Sequence, residues 1–276
     1  MPELPEVEVV RQGRAPRITG DTILEIAASN RKLRKPIPLA RLKKWIVGAR
    51  VTAVERRAKF LLLRLANGSL LAIHLGMTGK LCLFPADVPR QKHDHLRFLL
   101  ARGFELRFND ARRFGFIEVH TPEELASDPF AHLGPEPFGE DFSAAYLLDK
   151  ACHRHQPVKS FLMDNKVVVG IGNIYASEIL FVAGIRPFTP AAELEARHWQ
   201  RLIDCSRKVL AKAIACGGTT ISDFVNEKGK GGQFQHHLRV YGRAGQPCPF
   251  CHAPVIRTVI AGRATFHCRH CQREPF

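Results

Sequence analysis

Short apolar runs separated by polar turns dominate the chain between residue 21 and about residue 119. The stretches VTAVERRAKFLLLRL and SLLAIHL flank the turn ANG, and the stretches HLRFLLA and FELRF flank RG. Apolar runs joined by tight glycine turns are typical of antiparallel hairpins. After a short helical start, the pattern therefore predicts a two-sheet sandwich or a barrel-like domain.

The hydrophobic period changes after the segment HTPEELASDPFAHLGPEPFGEDFS, which is rich in Pro, Gly and acidic residues and predicts a linker. Beyond it, FLMDNKVVVGIGNIYASEILFVAGI and ELEARHWQRLIDCSRKVLAKAIACGG space their apolar residues at about 3.6 positions, and the second ends on two glycines suited to a helix stop. NEKGKGGQFQ predicts a mobile loop. The predicted fold class is therefore α+β, with helices after the sheets.

Composition adds the expectation of a polyanionic partner. The 276 residues are 45% hydrophobic, enough for a core and for two domains or one domain with an appendage. Lys and Arg number 41 against 26 Asp and Glu, a net charge of +15, and are dense in RKLRKPIPLARLKK. Nucleic acid is the commonest partner for such a charge. A generally basic, highly soluble surface is the alternative.

The same sequence favours a cytosolic protein. No window reaches about 18 uncharged apolar residues, the length of a membrane span. The first residues are acidic, where a signal peptide would be basic.

Four of the eight cysteines cluster near the C-terminus, and the other four are spread singly. The motifs CPFC and CRHC are separated by 16 residues, a spacing typical of a four-thiolate zinc site on a small hairpin. Redox dithiols or chance are the alternatives. The predicted ligands of one Zn²⁺ ion are Cys248, Cys251, Cys268 and Cys271.

Four cysteines would close the coordination shell, so the predicted zinc site is structural. It would stiffen a hairpin too small to have its own core. Arg263 follows the expected turn AGR of that hairpin. A solvated turn residue is one interpretation of Arg263, and a phosphate contact on a rigid basic tip is the other.

The chain opens with MPELPEVEVV, which has two interpretations. A proline and several glutamates suit the first turn of a helix. If Met1 is removed, however, Pro2 has a free secondary amine, and an α-amino group titrates at about 7.7 to 8.0, close enough to neutrality to act as a nucleophile. These residues alone do not decide between helix punctuation and amine catalysis.

The remaining motifs resemble one known family. In order, they are PELPEVE, RRAKFLLL, IHLGMTG, KHDH, ARRFG, LMDNK, GIGNIYASEIL, GGTT, VYGR, and RATF between the CxxC pairs. This set is similar to that of the bacterial formamidopyrimidine-DNA glycosylases, which repair 8-oxoguanine, over essentially the whole chain.

The resemblance implies an N-terminal antiparallel β-sandwich domain, a C-terminal helical domain with a helix-two-turn-helix element, and a C-terminal zinc ribbon. We place them at residues 1–130, 131–240 and 241–276. It also implies that Pro2 attacks C1′ of the damaged nucleoside, that Glu3 is the general acid at the sugar ring oxygen, and that Glu6 supports Glu3.

The family also implies a set of DNA contacts. Lys59 would contact the phosphate next to the lesion, although alone it would be a strand-surface lysine. Met77, Arg112 and Phe114 would fill the space left by the everted nucleotide, although a methionine and a phenylalanine are more often core. Further contacts would come from His93, from Asn173 in GIGNIYASEIL, from Arg263, and from a loop over the everted base, from about Thr219 to Phe234.

One position departs from the family pattern. His155 stands where a DNA-contacting lysine is common, which weakens its expected phosphate contact near neutral pH, and Arg154 or Lys159 could compensate.

The implied activity is that of a bifunctional DNA glycosylase and AP lyase of base-excision repair. It would act as a monomer in the bacterial cytoplasm, on double-stranded DNA that contains oxidised purines or abasic sites. One alternative is an endonuclease VIII-type glycosylase for oxidised pyrimidines, and another is a noncatalytic zinc-ribbon DNA-binding protein.

Overall fold

The structure, a computed structural model, describes residues 2–219 and 232–273. It divides into two units. The first comprises Met1–Phe130 and Gly217–Gly232, and the second comprises Ala131–Cys216 and Gln233–Phe276. Residues 220–231, which include most of the predicted mobile loop NEKGKGGQFQ, lie outside the described residues. The predicted division into three domains stays a prediction.

Two four-stranded antiparallel sheets form the first unit, which confirms the predicted α+β class with a β-sandwich. The order of the first sheet is β1-β6-β7-β5, and that of the second is β2-β3-β4-β8. The strands of the first sheet are β1 (Ile23–Ala28), β5 (Lys80–Pro85), β6 (Asp94–Leu100) and β7 (Phe104–Asn109). Those of the second are β2 (Val51–Arg57), β3 (Phe60–Leu65), β4 (Leu70–His74) and β8 (Phe116–His120).

The core of this unit collects apolar side chains from both sheets and from two helices. Strand β3 shows why its sequence FLLLRL is an almost unbroken apolar run. Leu61 and Leu63 face the main core, while Leu62 belongs to a smaller cluster on the opposite face, packed against Phe130. Because both faces of the strand are covered, apolar residues need not alternate with polar ones.

Helices α1 (Leu4–Ile18), α2 (Leu39–Ile46) and α3 (Pro122–Leu125) complete the first unit. Helix α2 lies within the basic segment that the charge pattern singled out. Leu42 and Ile46 point into the core, and Lys43 and Lys44 are exposed. These two lysines therefore lie on the solvent side of the helix.

The predicted turns ANG and RG are confirmed, with Gly68 and Gly103 at positive φ. One further turn was missed. The run VTAVERRAKFLLLRL contains two strands, because Arg57 pairs with Phe60 across a turn of two residues. The apolar pattern alone does not indicate this turn, because neither Ala58 nor Lys59 is a usual turn residue.

The second unit is mainly helical, with α4 (Ala144–Ala151), α5 (Val158–Leu162), α6 (Asn173–Ala183) and α7 (Ala196–Ala215). Two 3₁₀ turns span Ala191–Glu193 and Phe234–His237. The predicted stop of α7 is confirmed, since Gly217 and Gly218 follow it at φ of 75° and 80°. Residues 163–172 are not helical although their spacing predicted a helix, since Gly170 adopts a φ of 82°.

A two-stranded antiparallel hairpin closes the second unit, with β9 (Ile256–Ile260) and β10 (Arg263–His267). Its turn residues Ala261 and Gly262 have φ of 47° and 74°, as a tight two-residue hairpin requires. Within the described residues, no helix has both the length and the apolar character needed to cross a membrane.

Phe98 in β6 offers a test of the sandwich core, because its side chain is 0% exposed. We expect Phe98→Ala to lower the free energy of unfolding by about 3–5 kcal/mol, the cost of a large cavity. Phe104 in the neighbouring strand is 39% exposed and is the matched control. Phe104→Ala should cost less than about 1 kcal/mol in denaturant titrations. Equal losses in the two variants would contradict this core.

Candidate functional site

Pro2, Glu3 and Glu6 lie together at the start of α1, and all three are buried. The backbone N–H of Glu3, the residue before the helix, donates to Oε2 of Glu6 at 2.9 Å. Carboxylates are favoured at this end of a helix by its dipole. Glu3 therefore provides an acidic residue directly after Pro2 in the chain. The hydrogen bond to Glu6 fixes the backbone of Glu3.

Glu6 has a second set of partners. Its Oε1 accepts hydrogen bonds from the backbone N–H of Thr219 at 2.8 Å and from its hydroxyl at 2.9 Å. Gly218 approaches so closely that a Cβ there would lie 3.0 Å from the same oxygen. Glu6 thus fixes the chain where the predicted base-covering loop begins, although the rest of that loop lies outside the described residues.

Lys59 occupies the two-residue turn between β2 and β3, beside His74 at the end of β4. Burial, together with the positive charges of Lys59 and Arg34, lowers the pKa of His74 to about 4. Its Nδ1 accepts the N–H of Gly76 at 3.0 Å, so the neutral ring carries its proton on Nε2. The ring, on which the charge of Lys59 acts, therefore supplies a neutral N–H donor.

His74 was missed by the sequence analysis. Its signal was its place in IHLGMTG, at the end of a predicted strand and close to Met77.

Met77, Arg112 and Phe114 extend from two neighbouring loops of the first unit, and all three are exposed. The two apolar side chains are 37% and 43% exposed. Met77 lies between β4 and β5, and the other two lie between β7 and β8. The guanidinium carbon of Arg112 is 4.9 Å from the centre of the Phe114 ring. Large side chains outside the core are available to a partner.

Asp110, which the sequence analysis did not select, holds these two loops together. Its carboxylate is fully buried and accepts the hydroxyl of Thr78 at 2.5 Å and the N–H of Gly115 at 2.8 Å. The Thr78 hydroxyl oxygen accepts the N–H of Arg112 at 3.1 Å. One buried carboxylate therefore orders the backbone on both sides of the exposed residues.

The loops also touch through their backbones. A Cβ on Gly76 would lie 2.3 Å from the backbone nitrogen of Gly115 and 2.4 Å from the carbonyl carbon of Phe114. No side chain can be added there without moving one of the loops.

His93 lines an open pocket of roughly 440 Å³ in the same unit, beside Arg31, Lys92 and Arg113. Its backbone φ is 74° and its carbonyl accepts the N–H of Asp110 at 3.1 Å. The concentration of positive charge suits an anion such as a phosphate. The phosphate contact predicted for His93 stays a prediction.

In the second unit, the buried Lys159 links the two predicted phosphate contacts. Its Nζ donates to Oδ1 of Asn173 at 2.6 Å, to the carbonyl oxygen of Ala264 at 3.1 Å and to the hydroxyl oxygen of Thr265 at 2.8 Å. Asn173, the first residue of α6, also donates to Ala264 at 3.0 Å. Arg263, exposed next to that carbonyl, and Asn173 are therefore parts of one hydrogen-bonded assembly.

His155 is exposed on the connection between α4 and α5. The idea that Lys159 could compensate for it is wrong. Lys159 is 1% exposed and its ammonium already donates to three protein oxygens. Arg154 is exposed beside His155 and stays a candidate.

The four predicted metal ligands converge at the base of the hairpin. Their sulfur atoms all lie within 4.8 Å of one another, with 3.7 Å between Cys248 and Cys271 and 3.4 Å between Cys251 and Cys268. A tetrahedral ion with zinc–sulfur distances of about 2.3 Å separates its ligands by about 3.8 Å. The four thiols could therefore hold a metal ion, with no position left for a substrate.

Comparison with known proteins identifies two family domains in the chain. Residues 1–117 match the family described as formamidopyrimidine-DNA glycosylase N-terminal domain, and residues 133–225 match the formamidopyrimidine-DNA glycosylase H2TH domain. The chain is 47% identical over 273 residues to the formamidopyrimidine-DNA glycosylase of Alteromonas mediterranea, covering 99% of this chain and 100% of that protein. It is 46% identical over 275 residues to that of Escherichia coli O6:K15:H31, with the same coverage.

Solved structures show the same fold. A complex of Lactococcus lactis Fpg (MutM) with a DNA containing Fapy-dG matches with a TM-score of 0.90 at 34% identity, covering 99% of this chain and 100% of that one. A complex of the same protein with a DNA containing an abasic site matches with the same scores and coverage.

Asp110→Asn tests the hydrogen bonds that join the two exposed loops. The amide nitrogen has no lone pair to accept the second hydrogen bond, so the loss should cost about 1–3 kcal/mol. We expect amide hydrogen exchange in residues 75–79 and 111–115, followed by mass spectrometry, to become at least about fivefold faster. The control is Asp87→Asn, at an exposed position of the same unit. Unchanged exchange in both loops would contradict the role of Asp110.

Proposed function

Because the chain belongs to the formamidopyrimidine-DNA glycosylase family, we propose that it removes 8-oxoguanine and formamidopyrimidines from duplex DNA and then nicks the strand by β,δ-elimination. The observation that carries the proposal is the position of Pro2 and Glu3, side by side and buried at the start of α1. Of the two Lactococcus lactis complexes, one contains a DNA with Fapy-dG and the other a DNA with an abasic site.

The chemistry begins after removal of Met1. The secondary amine of Pro2 attacks C1′ of the damaged nucleoside, so that a carbon–nitrogen bond forms as the glycosidic bond breaks, and the base leaves with the proton that the amine gives up. Glu3 gives its proton to the sugar ring oxygen as the ring opens, which leaves an iminium ion between Pro2 and C1′. Glu6 keeps Glu3 in place through the backbone N–H of that residue.

The iminium acidifies the adjacent C2′–H bond. Loss of that proton expels the 3′ phosphate, and a second elimination expels the 5′ phosphate. Hydrolysis of the remaining iminium releases Pro2 and the sugar remnant. The product is a one-nucleotide gap with phosphate at both ends, reached without metal or water attacking a phosphodiester.

The DNA is held mainly through its phosphates. Lys59 and His74 in the first unit offer an ammonium and a neutral N–H, and Asn173 and Arg263 offer donors in the second. We assign Met77, Phe114 and Arg112 to the space left by the everted nucleotide. There, the two apolar side chains stack against bases and the guanidinium bonds the unpaired cytosine.

The metal is proposed to be one structural Zn²⁺ ion, held by the four clustered cysteines. Zinc prefers a tetrahedral set of thiolates, and the sulfur spacings fit that geometry. The ion would stiffen the β9–β10 hairpin, which carries Arg263, and it would take no part in the elimination steps.

Pro2→Gly tests the nucleophile. Glycine keeps an N-terminal amine but changes its basicity and shape, so we expect cleavage of a duplex with 8-oxoguanine opposite cytosine to fall at least about tenfold, while duplex binding stays largely intact. Pro36→Gly makes the same exchange at an exposed position of the same unit and should cleave normally. Unimpaired cleavage by Pro2→Gly would count against the proposal. Activity on oxidised pyrimidines alone would move the assignment to the endonuclease VIII type.

Removal of zinc tests the role of the hairpin. After chelation, with metal loss verified by elemental analysis, we expect the affinity for the lesion duplex to fall at least about tenfold, because the hairpin around Arg263 unfolds. Arg263→Gln should bind DNA about as weakly while retaining one zinc per chain. Unchanged DNA binding by the verified apoprotein would refute this role.

A further inference from the structure

Arg56, near the end of β2, joins the first helix to the turn that carries Lys59. Its Nη1 donates to the backbone carbonyl oxygen of Ala58 at 3.0 Å, and its Nε donates to Oε2 of Glu8 at 3.2 Å. The guanidinium is planar and rigid, so its two bonds fix the direction of both partners at once. The side chain is only 11% exposed, which protects both bonds from competition by water.

Glu8 is a fixed partner because it lies in the same helix α1, five residues after Glu3 and two after Glu6. Its Oε1 accepts from Nη2 of Arg11 at 2.6 Å and from Nε2 of Gln12 at 3.1 Å. Burial opposes its ionisation, but the hydrogen bond from Arg11 and the charges of Arg11 and Arg56 lower the pKa of Glu8 overall. The ionised carboxylate of Glu8 is therefore fixed by side chains of its own helix, and it accepts a hydrogen bond from Arg56 as well.

Ala58 gives the second, independent observation. Its φ is 55°, in the left-handed region that residues with a Cβ adopt at an energetic cost, and it is 3% exposed. Such backbone strain persists where surrounding contacts impose it, and it is common near functional sites. The bond from Arg56 to the Ala58 carbonyl is one such contact, one residue before Lys59.

We propose that Arg56 is a positioning residue, which fixes the Lys59 turn relative to the helix that begins beside Pro2. The proposal rests on the proposed function, in which the Pro2 amine and the Lys59 ammonium act on one nucleotide. Arg56 acts on this geometry through its hydrogen bonds to Ala58 and Glu8. A misplacement of about 1 Å in a reacting complex can lower the rate about 100-fold. Loss of the hydrogen bonds of Arg56 should therefore slow the chemical step more than it weakens DNA binding.

The test measures release of free 8-oxoguanine from a duplex under single-turnover conditions, together with duplex affinity. Arg56→Gln removes both charge-assisted bonds and should slow release about tenfold or more, with the affinity changed less than about twofold. Arg56→Lys keeps the charge but not the planar fork, and its rate should lie between those of Arg56→Gln and the wild type.

Arg64→Gln is the matched control. Arg64 lies in β3 of the same sheet and pairs with Glu55, but both side chains are largely exposed, at 51% and 42%. An exposed pair of this kind contributes little, and the variant loses the same charge as Arg56→Gln. It should release the base at the wild-type rate.

Glu8→Gln supplies the other half of a double-mutant cycle. If the two residues act through one interaction, the double variant Arg56→Gln/Glu8→Gln should release the base about as slowly as Arg56→Gln alone. If they acted independently, the two reductions in rate would multiply. Should Arg56→Gln fail to fold, Arg56→Lys and Glu8→Gln decide by the same measure, since each must slow release without weakening binding.

Three outcomes would overturn the proposal. Arg56→Gln could release the base at more than half the wild-type rate, its rate loss could be matched by an equal loss of DNA affinity, or Arg64→Gln could be equally slow. Failure of the proposed function is distinguishable, because then the wild-type protein itself would release no base.

Discussion

Hydrogen bonds between largely buried charged side chains and the backbone of turns fix the residues of the candidate site. Glu6 and Asp110 accept such bonds, and Arg56 and Lys159 donate them, each with a backbone group of a turn, a loop or a strand end. Turns have few apolar side chains to bury, so packing alone cannot fix them. A buried charged side chain that is hydrogen-bonded to the backbone can fix a turn. Loss of one partner leaves a buried charge or polar group without its hydrogen bond, which is costly in free energy, so the order of the turns depends on these few residues.

This arrangement explains how large apolar side chains remain exposed on a folded protein. Met77 and Phe114 lie on short loops whose backbones are bound beneath them by Asp110. With the backbone fixed, the side chains cannot turn inward to the core. Their exposure is unfavourable in water, and the insertion into a base stack that we propose would remove that penalty.

Sequence patterns predicted the parts of the fold that depend on hydrophobic period and glycine. The sheets, the stop after α7 and the β9–β10 hairpin follow from these signals. The turn before Lys59 gave no such signal, because tertiary contacts hold Ala58 in a conformation that alanine disfavours. The ten residues after α5 have an apolar pattern but form no helix. The hydrophobic period alone does not distinguish a buried irregular segment from a helix.

Some residues of the candidate site could be predicted from the sequence, and others could not. Spacing alone indicated the four cysteines, and family resemblance indicated Pro2, Lys59 and the exposed loop residues. Asp110 and Arg56 could not be found from the sequence, since each acts through partners in other elements that only the fold identifies. A buried charge has no local pattern that separates it from a surface charge.

Borohydride trapping, followed by peptide mapping, tests the central claim most directly. The protein would be incubated with a duplex containing 8-oxoguanine opposite cytosine, reduced, and digested for mass spectrometry. The account predicts a single DNA–peptide adduct on the nitrogen of Pro2, in a peptide that lacks Met1. An adduct on a lysine side chain, or strand cleavage without any adduct, would contradict it.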